Sequence, residues 1–502
     1  VLIGADVQSV FYVSPAGDDS ATGTRKNPWK TLARATAALR PGHTLLLLDG
    51  EYTKDTTGLL DVDCTLEPRR GRDDAPIVVR AERERGAALR GDGELVPLRV
   101  DYCAHWTFEG LLLTNEHNPD VPPGTDVGSG SVIWRSEDIT LRRNLWVRSN
   151  RERHTHLLRI VESDRVLVEE NEGYDFYHNA FEAVRTQGGV FRRNYLHSRF
   201  AVGDDRREPI NLPNVDPERG DIGIQIEESA DNLLENNLVE VVANGFSVVG
   251  RHVDSTYTDP MPFANAGTRL YGNIVRDSTH QGFRVESRCD DASPCTYPER
   301  VVLSTLISDA VALQGATGFS VDAAPATSIV HSAAVRVKNG FHLLRAAANA
   351  GMAYTARVNA SLVRNFSGVG FWADGANEWA FSYCAAQDPG QNAVEYSPAD
   401  ERVQAPIWTP IVDACIAQPD AESLLRGAAE GGSNVGPQLL YRYHQGQLTE
   451  QPLWDEETAA FPCGAVVPGV NDDPEQSCSG AHLRLGIGSA RCPLPYAELR
   501  EM

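Results

Sequence analysis

The sequence predicts an all-β protein built as a parallel β-helix (β-solenoid), with an N-terminal capping helix and an irregular C-terminal tail. Two observations predict it: a short phrase that recurs along the middle of the chain, and strict alternation inside each copy. The phrase reads Ala180-Phe181-Glu182-Ala183, Gly245-Phe246-Ser247-Val248, Gly282-Phe283-Arg284-Val285, Gly318-Phe319-Ser320-Val321, Gly340-Phe341-His342-Leu343 and Gly370-Phe371-Trp372-Ala373. Repeats of roughly 20 to 40 residues signal a solenoid, in which each unit buries its apolar face against its neighbours. Successive Phe residues are 65, 37, 36, 22 and 30 positions apart. The shortest interval suits one coil, and the longer ones suit coils that carry loops. Gly223-Ile224-Gln225-Ile226 supplies a rung between Phe181 and Phe246.

Period-2 alternation makes each phrase a strand. With Phe and the residue two later turned inward, the inward columns are Leu158, Phe181, Ile224, Phe246, Phe283, Phe319, Phe341, Phe371 and Ile160, Ala183, Ile226, Val248, Val285, Val321, Leu343, Ala373. The outward columns are Arg159, Glu182, Gln225, Ser247, Arg284, Ser320, His342, Trp372 and Val161, Val184, Glu227, Val249, Glu286, Asp322, Leu344, Asp374. An apolar stack inside and a mostly polar face outside is what a parallel β-helix needs. Asn residues mark the turns at Glu170-Asn171, Arg193-Asn194, Asn236-Asn237 and Gly272-Asn273. Asn tolerates left-handed backbone, and its side chain can bond along a stack of turns.

Composition narrows the class. The 502 residues are 41% hydrophobic and 23% charged, ordinary for a soluble protein. No stretch of about 18 apolar residues occurs, so no membrane span is expected. The chain begins at Val1 without Met or a signal-peptide pattern, which reads as a processed mature form. A net charge of −23 argues against generic nucleic-acid binding, which needs a basic face. Nine Cys are present. Cys289 and Cys295 flank a short loop that favours a local disulfide, and Cys463, Cys478 and Cys492 cluster in the tail. This usage points to a secreted or cell-surface location, with reduced structural thiols as the alternative.

Residues 1–420 read as the solenoid with its cap, and residues 421–502 as an irregular, disulfide-containing tail that packs on it. Larger insertions fall at residues 116–130, 202–219 and 251–267. An Ala-rich helix at residues 33–39 would cover the open end and blunt its edge. Around it stand residues 11–17 (FYVSPAG), 23–32 (GTRKNPWKTL), 41–48 (PGHTLLLL) and 50–52 (GEY), followed by residues 75–80 (APIVVR) and 87–93 (AALRGDG). This order resembles the opening of secreted bacterial right-handed β-helix proteins of the pectate-lyase-like superfamily, closely over residues 10–115. The resemblance implies a right-handed parallel β-helix, a fold that carries lyases, hydrolases, epimerases and non-enzymes. It does not extend to catalytic motifs. No Asp-rich calcium motif followed by a lone basic residue is found, nor an Asp triad with Gly-His and Arg-x-Lys; Asp204-Asp205-Arg206-Arg207 is the nearest match.

The chemistry therefore rests on the outward columns. Coils lie about 4.8 Å apart, so outward side chains of adjacent coils touch. Glu286 and Asp322 are neighbours with Arg284 alongside, and Glu227 lies two rungs before Glu286. Three readings stand: Glu227, Glu286 and Asp322 as oxygen ligands for Ca²⁺; two of them as the acid and base on a glycosidic bond; or a solvated face crossed by Arg284–carboxylate pairs. A third ladder, three residues before each Phe or Ile224, holds His178, Asp221, Ala243, His280, Ala316 and Lys338. In a β-elimination lyase acting on a uronate, His280 would be the base and Arg284 would neutralise the carboxylate. The expected catalytic residues are thus His280, Arg284, Glu286 and Asp322. His178, Glu182, Arg185, Gln225, His342 and Trp372 are expected to bind substrate. His154 and His156, with Arg159, Glu182 and Arg185, form a second candidate cluster. The function expected is an extracellular polysaccharide lyase, with a glycoside hydrolase or a non-catalytic surface scaffold as the alternatives, and polysaccharide as the partner.

Overall fold

The structure, a computed structural model, describes residues 10–65, 69–93, 95–115, 130–147, 156–174, 176, 178–198, 221–250, 264–288, 301–344, 356–373, 380–389, 392–396, 425–437, 441–444 and 447–452. They fall into two compact units. The first ends at Glu182 and includes Ser198; the second comprises Ala183–His197 and residues 221–452. The fold is a right-handed parallel β-helix, in which each coil gives one strand to a flat sheet and one bent strand, or two short ones, to a second sheet.

In the first unit the flat sheet stacks Val10–Val13, Thr44–Leu47, Ile77–Ala81, Trp106–Glu109, Thr140–Arg142 and Leu167–Glu169, all parallel. The helix Leu32–Ala38 packs against the first strand and buries Leu32 and Ala35. Thr31 caps it by accepting from the Arg34 N–H, and Asp19 fixes Thr31 through its hydroxyl at 2.7 Å. The seven-residue helix thus covers the first coil where no neighbour exists to bury it.

In the second unit the bent strands Leu238–Val249, Ile274–Glu286, Val311–Asp322 and Ala333–Leu344 pair in parallel. Their register places Phe246, Phe283, Phe319, Phe341 and Phe371 in one column. The rings stack, with centroids 5.2, 4.8, 4.6 and 5.1 Å apart and planes within 12°. The Gly before each Phe sits where the two halves of the strand fold close. A Cβ at Gly245 would lie 2.2 Å from Val275 Cγ2, and one at Gly318 would lie 2.7 Å from Ala334 Cβ. The recurring phrase therefore records two needs at once, a buried ring and a backbone approach that only Gly permits.

The turns refine the sequence reading. The left-handed residue is the one before each Asn: Glu170 has φ 56°, Arg193 55°, Asn236 53° and Gly272 64°. The Asn that follows points inward and forms a ladder. Asn237 Oδ1 accepts from Asn194 N at 3.0 Å and from Asn194 Nδ2 at 2.9 Å, and Asn237 bonds onward to Asn273 in the same way. At the opposite turn Ser and Cys take the equivalent place. Cys103 N donates to Ser136 Oγ and Ser136 N to Ser163 Oγ, both at 3.0 Å. Cys64, in the turn one coil earlier, is disulfide-bonded to Cys103. Cys384 is buried and reduced. Cys289, Cys295, Cys463, Cys478 and Cys492 lie outside the described residues.

Residues 425–437, part of the second unit, pack on its coils, with Leu425 and Val435 buried, Gly436 N bonded to Ala360 O and Asn434 O to His331 Nδ1. Tyr441–His444 and Gln447–Pro452 form an antiparallel hairpin. No helix among the described residues is long and apolar enough to cross a membrane.

Candidate functional site

The outward columns of the second unit stand in the expected register. Gln225, Ser247, Arg284, Ser320, His342 and Trp372 follow one another as Cα partners, and beside them run Glu227, Val249, Glu286, Asp322 and Leu344. The face is polar but far from fully solvated. Ser247 is buried completely, Gln225 and Ser320 are 4% exposed, and His342 is 9% exposed. Arg284, Glu286, Glu227, Asp322 and Trp372 keep intermediate exposure.

Arg284 and Glu286 share one strand face and form an ion pair. Asp322 lies opposite Glu286 on the next coil. Gln225 Nε2 donates to Glu227 Oε2 at 2.8 Å. At the far end the His342 ring meets Trp372 edge to face, with centroids 4.6 Å apart and planes at 88°. Burial under this contact pushes the His342 imidazole down to about 4, so it is neutral at pH 7.

His280 departs from the expected ladder. Ser278 pairs with Gly315 and Gln281 with Thr317, so Thr279 and His280 together oppose the single residue Ala316. The same two residues oppose Ala243 on the other side. His280 thus lies in a β-bulge, which interrupts the one-to-one pairing along the column that joined it to Lys338. It makes no hydrogen bond or ion pair to a described residue, whereas Arg284 is held by Glu286.

Glu227, Glu286 and Asp322 do not fit a calcium ion as a set. The Val249 rung, fully buried, separates Glu227 from Glu286, and the two carboxylates are engaged by Gln225 and Arg284. Among the described residues no three His, Cys, Asp or Glu side chains converge to hold a metal. Calcium needs six or more oxygens around one point, which this column spreads along the solenoid axis.

The first unit holds a separate polar cluster. Glu182 accepts from Arg159 Nε at 2.8 Å and from Asn179 Nδ2 at 3.0 Å, and His156 Nε2 lies 3.5 Å from the same carboxylate. The His178 ring packs edge-on against His156, with centroids 5.2 Å apart. Glu182, His156 and Asn179 are almost wholly buried, so the cluster reaches solvent through Arg159 and His178. His154 lies outside the described residues. Arg185 belongs to the second unit, in a left-handed turn whose N–H bonds to Glu227 O.

One group escaped the sequence reading. Tyr195 Oη donates to Glu240 Oε2 at 2.7 Å, and Arg276 Nη2 lies 2.6 Å from Glu240 Oε1, with Glu240 only 1% exposed. In the first unit Arg85 and Glu172 form a buried pair at 2.5 Å, with the Tyr174 hydroxyl on the same carboxylate. Position relative to the ladder Asn was the available signal: Glu240 and Arg276 are each the third residue after one, and Tyr195 and Glu172 the first.

The family described as "Protein of unknown function (DUF1565)" matches residues 15–59, the capped first coil. No curated protein matches the sequence. Among solved structures, the catalytic domain of a GH87 α-1,3-glucanase in complex with nigerose aligns with a TM-score of 0.51 at 12% identity, covering 81% of this chain and 68% of that one. A pectate lyase aligns with a TM-score of 0.42 at 14% identity, over 94% of this chain and 98% of that one. The A-module of a mannuronan C-5 epimerase from Azotobacter vinelandii aligns at 0.48 and 14% identity, over 76% and 94%. Identities this low speak for the fold alone.

Proposed function

We propose that this protein is an extracellular enzyme that hydrolyses a polysaccharide laid along the polar face of the second unit, with Glu286 and Asp322 as its acid and base. The observation that carries the reading is their placement as Cα partners on adjacent coils, with the Arg284 cation against Glu286. Two neighbouring carboxylates disfavour each other's ionisation, so such a pair can hold different protonation states, as acid–base cleavage of a glycosidic bond requires. Trp372, partly exposed at the end of the column, offers its ring to a sugar, and Gln225 and Ser320 reach the surface along the way. The likeness to an α-1,3-glucanase domain agrees with this at the level of fold.

Hydrolysis is preferred to β-elimination at this face because Arg284 is already engaged and His280 sits in a bulge. A β-elimination reading is supported instead at the first unit's cluster, where His156, His178 and Arg159 surround Glu182. The Cys64–Cys103 disulfide supports an extracellular location. The test is to incubate the protein with neutral and uronate polysaccharides and to follow both reducing ends and the ultraviolet band of unsaturated uronates. New reducing ends without the band, abolished in Glu286→Gln and Asp322→Asn, support hydrolysis. The band, surviving those changes but lost in His156→Ala, would move the activity to the first unit. No product from any polysaccharide would favour a non-catalytic scaffold.

A further inference from the structure

On one edge of the first unit the turns between the flat and bent sheets are two residues long: Leu48 and Asp49, Gly110 and Leu111, Arg143 and Asn144, Glu170 and Asn171. The exception follows Ile77–Ala81, where the chain takes five residues, 82–86, before the next strand. This longer turn overhangs the next coil, whose left-handed position is Gly110 (φ 68°) and carries no side chain. Beneath them lies a pocket of about 330 Å³, lined by Arg80, Arg83, Glu84, Glu109, Gly110 and Arg143 among others.

The pocket is charged but internally balanced. Arg143 lies 3.9 Å from Glu109 and 3.0 Å from Glu170, Arg142 lies 3.0 Å from Glu109, and Arg83 lies 2.5 Å from Asp49. A bare cation or anion would have to compete with these pairs. An uncharged, hydroxyl-rich ligand would not. Carboxylate oxygens have further lone pairs to accept from hydroxyls, and guanidinium groups have further N–H groups to donate to ring and hydroxyl oxygens. The volume lies at the lower end of small-ligand sites, about 300 Å³, the scale of one or two sugar rings.

We propose that this pocket is a second, non-catalytic binding site that takes a neutral sugar residue of a glycan. It lies on the turn edge, away from the Glu182 cluster of the same unit, and rests on the reading that the protein's ligand is a glycan. Its affinity for one sugar is on the order of millimolar, as few contacts repay the lost freedom of a small ligand.

The test is saturation-transfer NMR on the full chain with methyl glucoside, methyl galactoside and methyl mannoside. Inorganic phosphate and methyl glucuronoside serve as charged competitors. Two variants report on the pocket: Gly110→Asn, which tolerates the left-handed backbone and fills the cavity, and Glu84→Gln, which keeps the shape and removes a charged acceptor. The expected result is binding of at least one neutral hexoside that weakens roughly tenfold in each variant, is not displaced by the charged competitors, and persists in Glu286→Gln. That last arm separates this site from the proposed catalytic face, since loss of activity there leaves hexoside binding here intact. Absence of hexoside binding, binding untouched by both pocket variants, or displacement by phosphate or the glucuronoside would each overturn the proposal.

Discussion

Glu286 and Asp322 stand at the same position on consecutive coils, Cα opposite Cα, and the Arg284 guanidinium lies against Glu286. Nothing local to either residue creates this pair; it exists because 36 positions of chain close one coil between them. Replacing Glu286 by Gln or Asp322 by Asn is expected to lower kcat on the productive polysaccharide by about 10²–10⁴-fold, the range of acid–base catalysis. Melting temperature should stay close to wild type. Initial rates of reducing-end release, beside thermal melts, check it.

His342 makes stability depend on pH. Its folded value of about 4 lies below the ordinary 6.5, so between these pH values the unfolded chain binds the extra proton and the folded one does not. The contribution is therefore complete above pH 6.5 and is lost as pH falls toward 4, by about 3 kcal/mol in all. Urea melts of wild type and His342→Gln at pH 7.5 and pH 4.5 should show a smaller pH-induced loss in the variant. Equal losses would contradict the assignment.

Cys64 and Cys103 lock two adjacent coils at one turn across 39 residues of sequence. Opening the bond releases chain entropy in the unfolded state of about 4 kcal/mol. Reduced protein, or Cys64→Ser with Cys103→Ser, should expose the N-terminal coils to amide exchange and proteolysis first. Mass-spectrometric exchange along the chain reads this directly.

Asn237 accepts from Asn194 N and donates to Phe191 O and Asn273 Oδ1, all in the interior. Asn237→Ala strands a buried N–H and is expected to cost roughly 2–4 kcal/mol. Asn237→Ser should cost less, because Ser332 and Ser361 hold equivalent places in later coils, with Ser361 Oγ accepting from Ser332 N at 3.2 Å. Urea unfolding midpoints order the three proteins.

Much of the fold was legible in the residues themselves. The alternation around Phe246, Phe283, Phe319, Phe341 and Phe371 predicts both the inward ring stack and the outward neighbours, and the pairings up to Ala373 stand in the structure, with Asp374 outside the described residues. Alternation is legible because a strand turns its side chains by a local rule, and stacked coils copy that rule from rung to rung. The His280 ladder failed for the same reason in reverse. A single extra residue at Thr279–His280 shifts the local count without altering the sequence around it, so spacing alone could not reveal the bulge.

By itself, then, the sequence determined the solenoid, its inward columns and which outward residues share a column, since these follow from periodicity along the chain. Tertiary structure alone decided the rest. It chose Cys103 as the partner of Cys64, paired Arg284 with Glu286, joined Tyr195 and Arg276 through Glu240, and covered Ser247 and Gln225 while leaving Arg284 half-exposed. Each of these depends on which surfaces meet in space, and burial and ion pairing are properties of that meeting rather than of any run of residues.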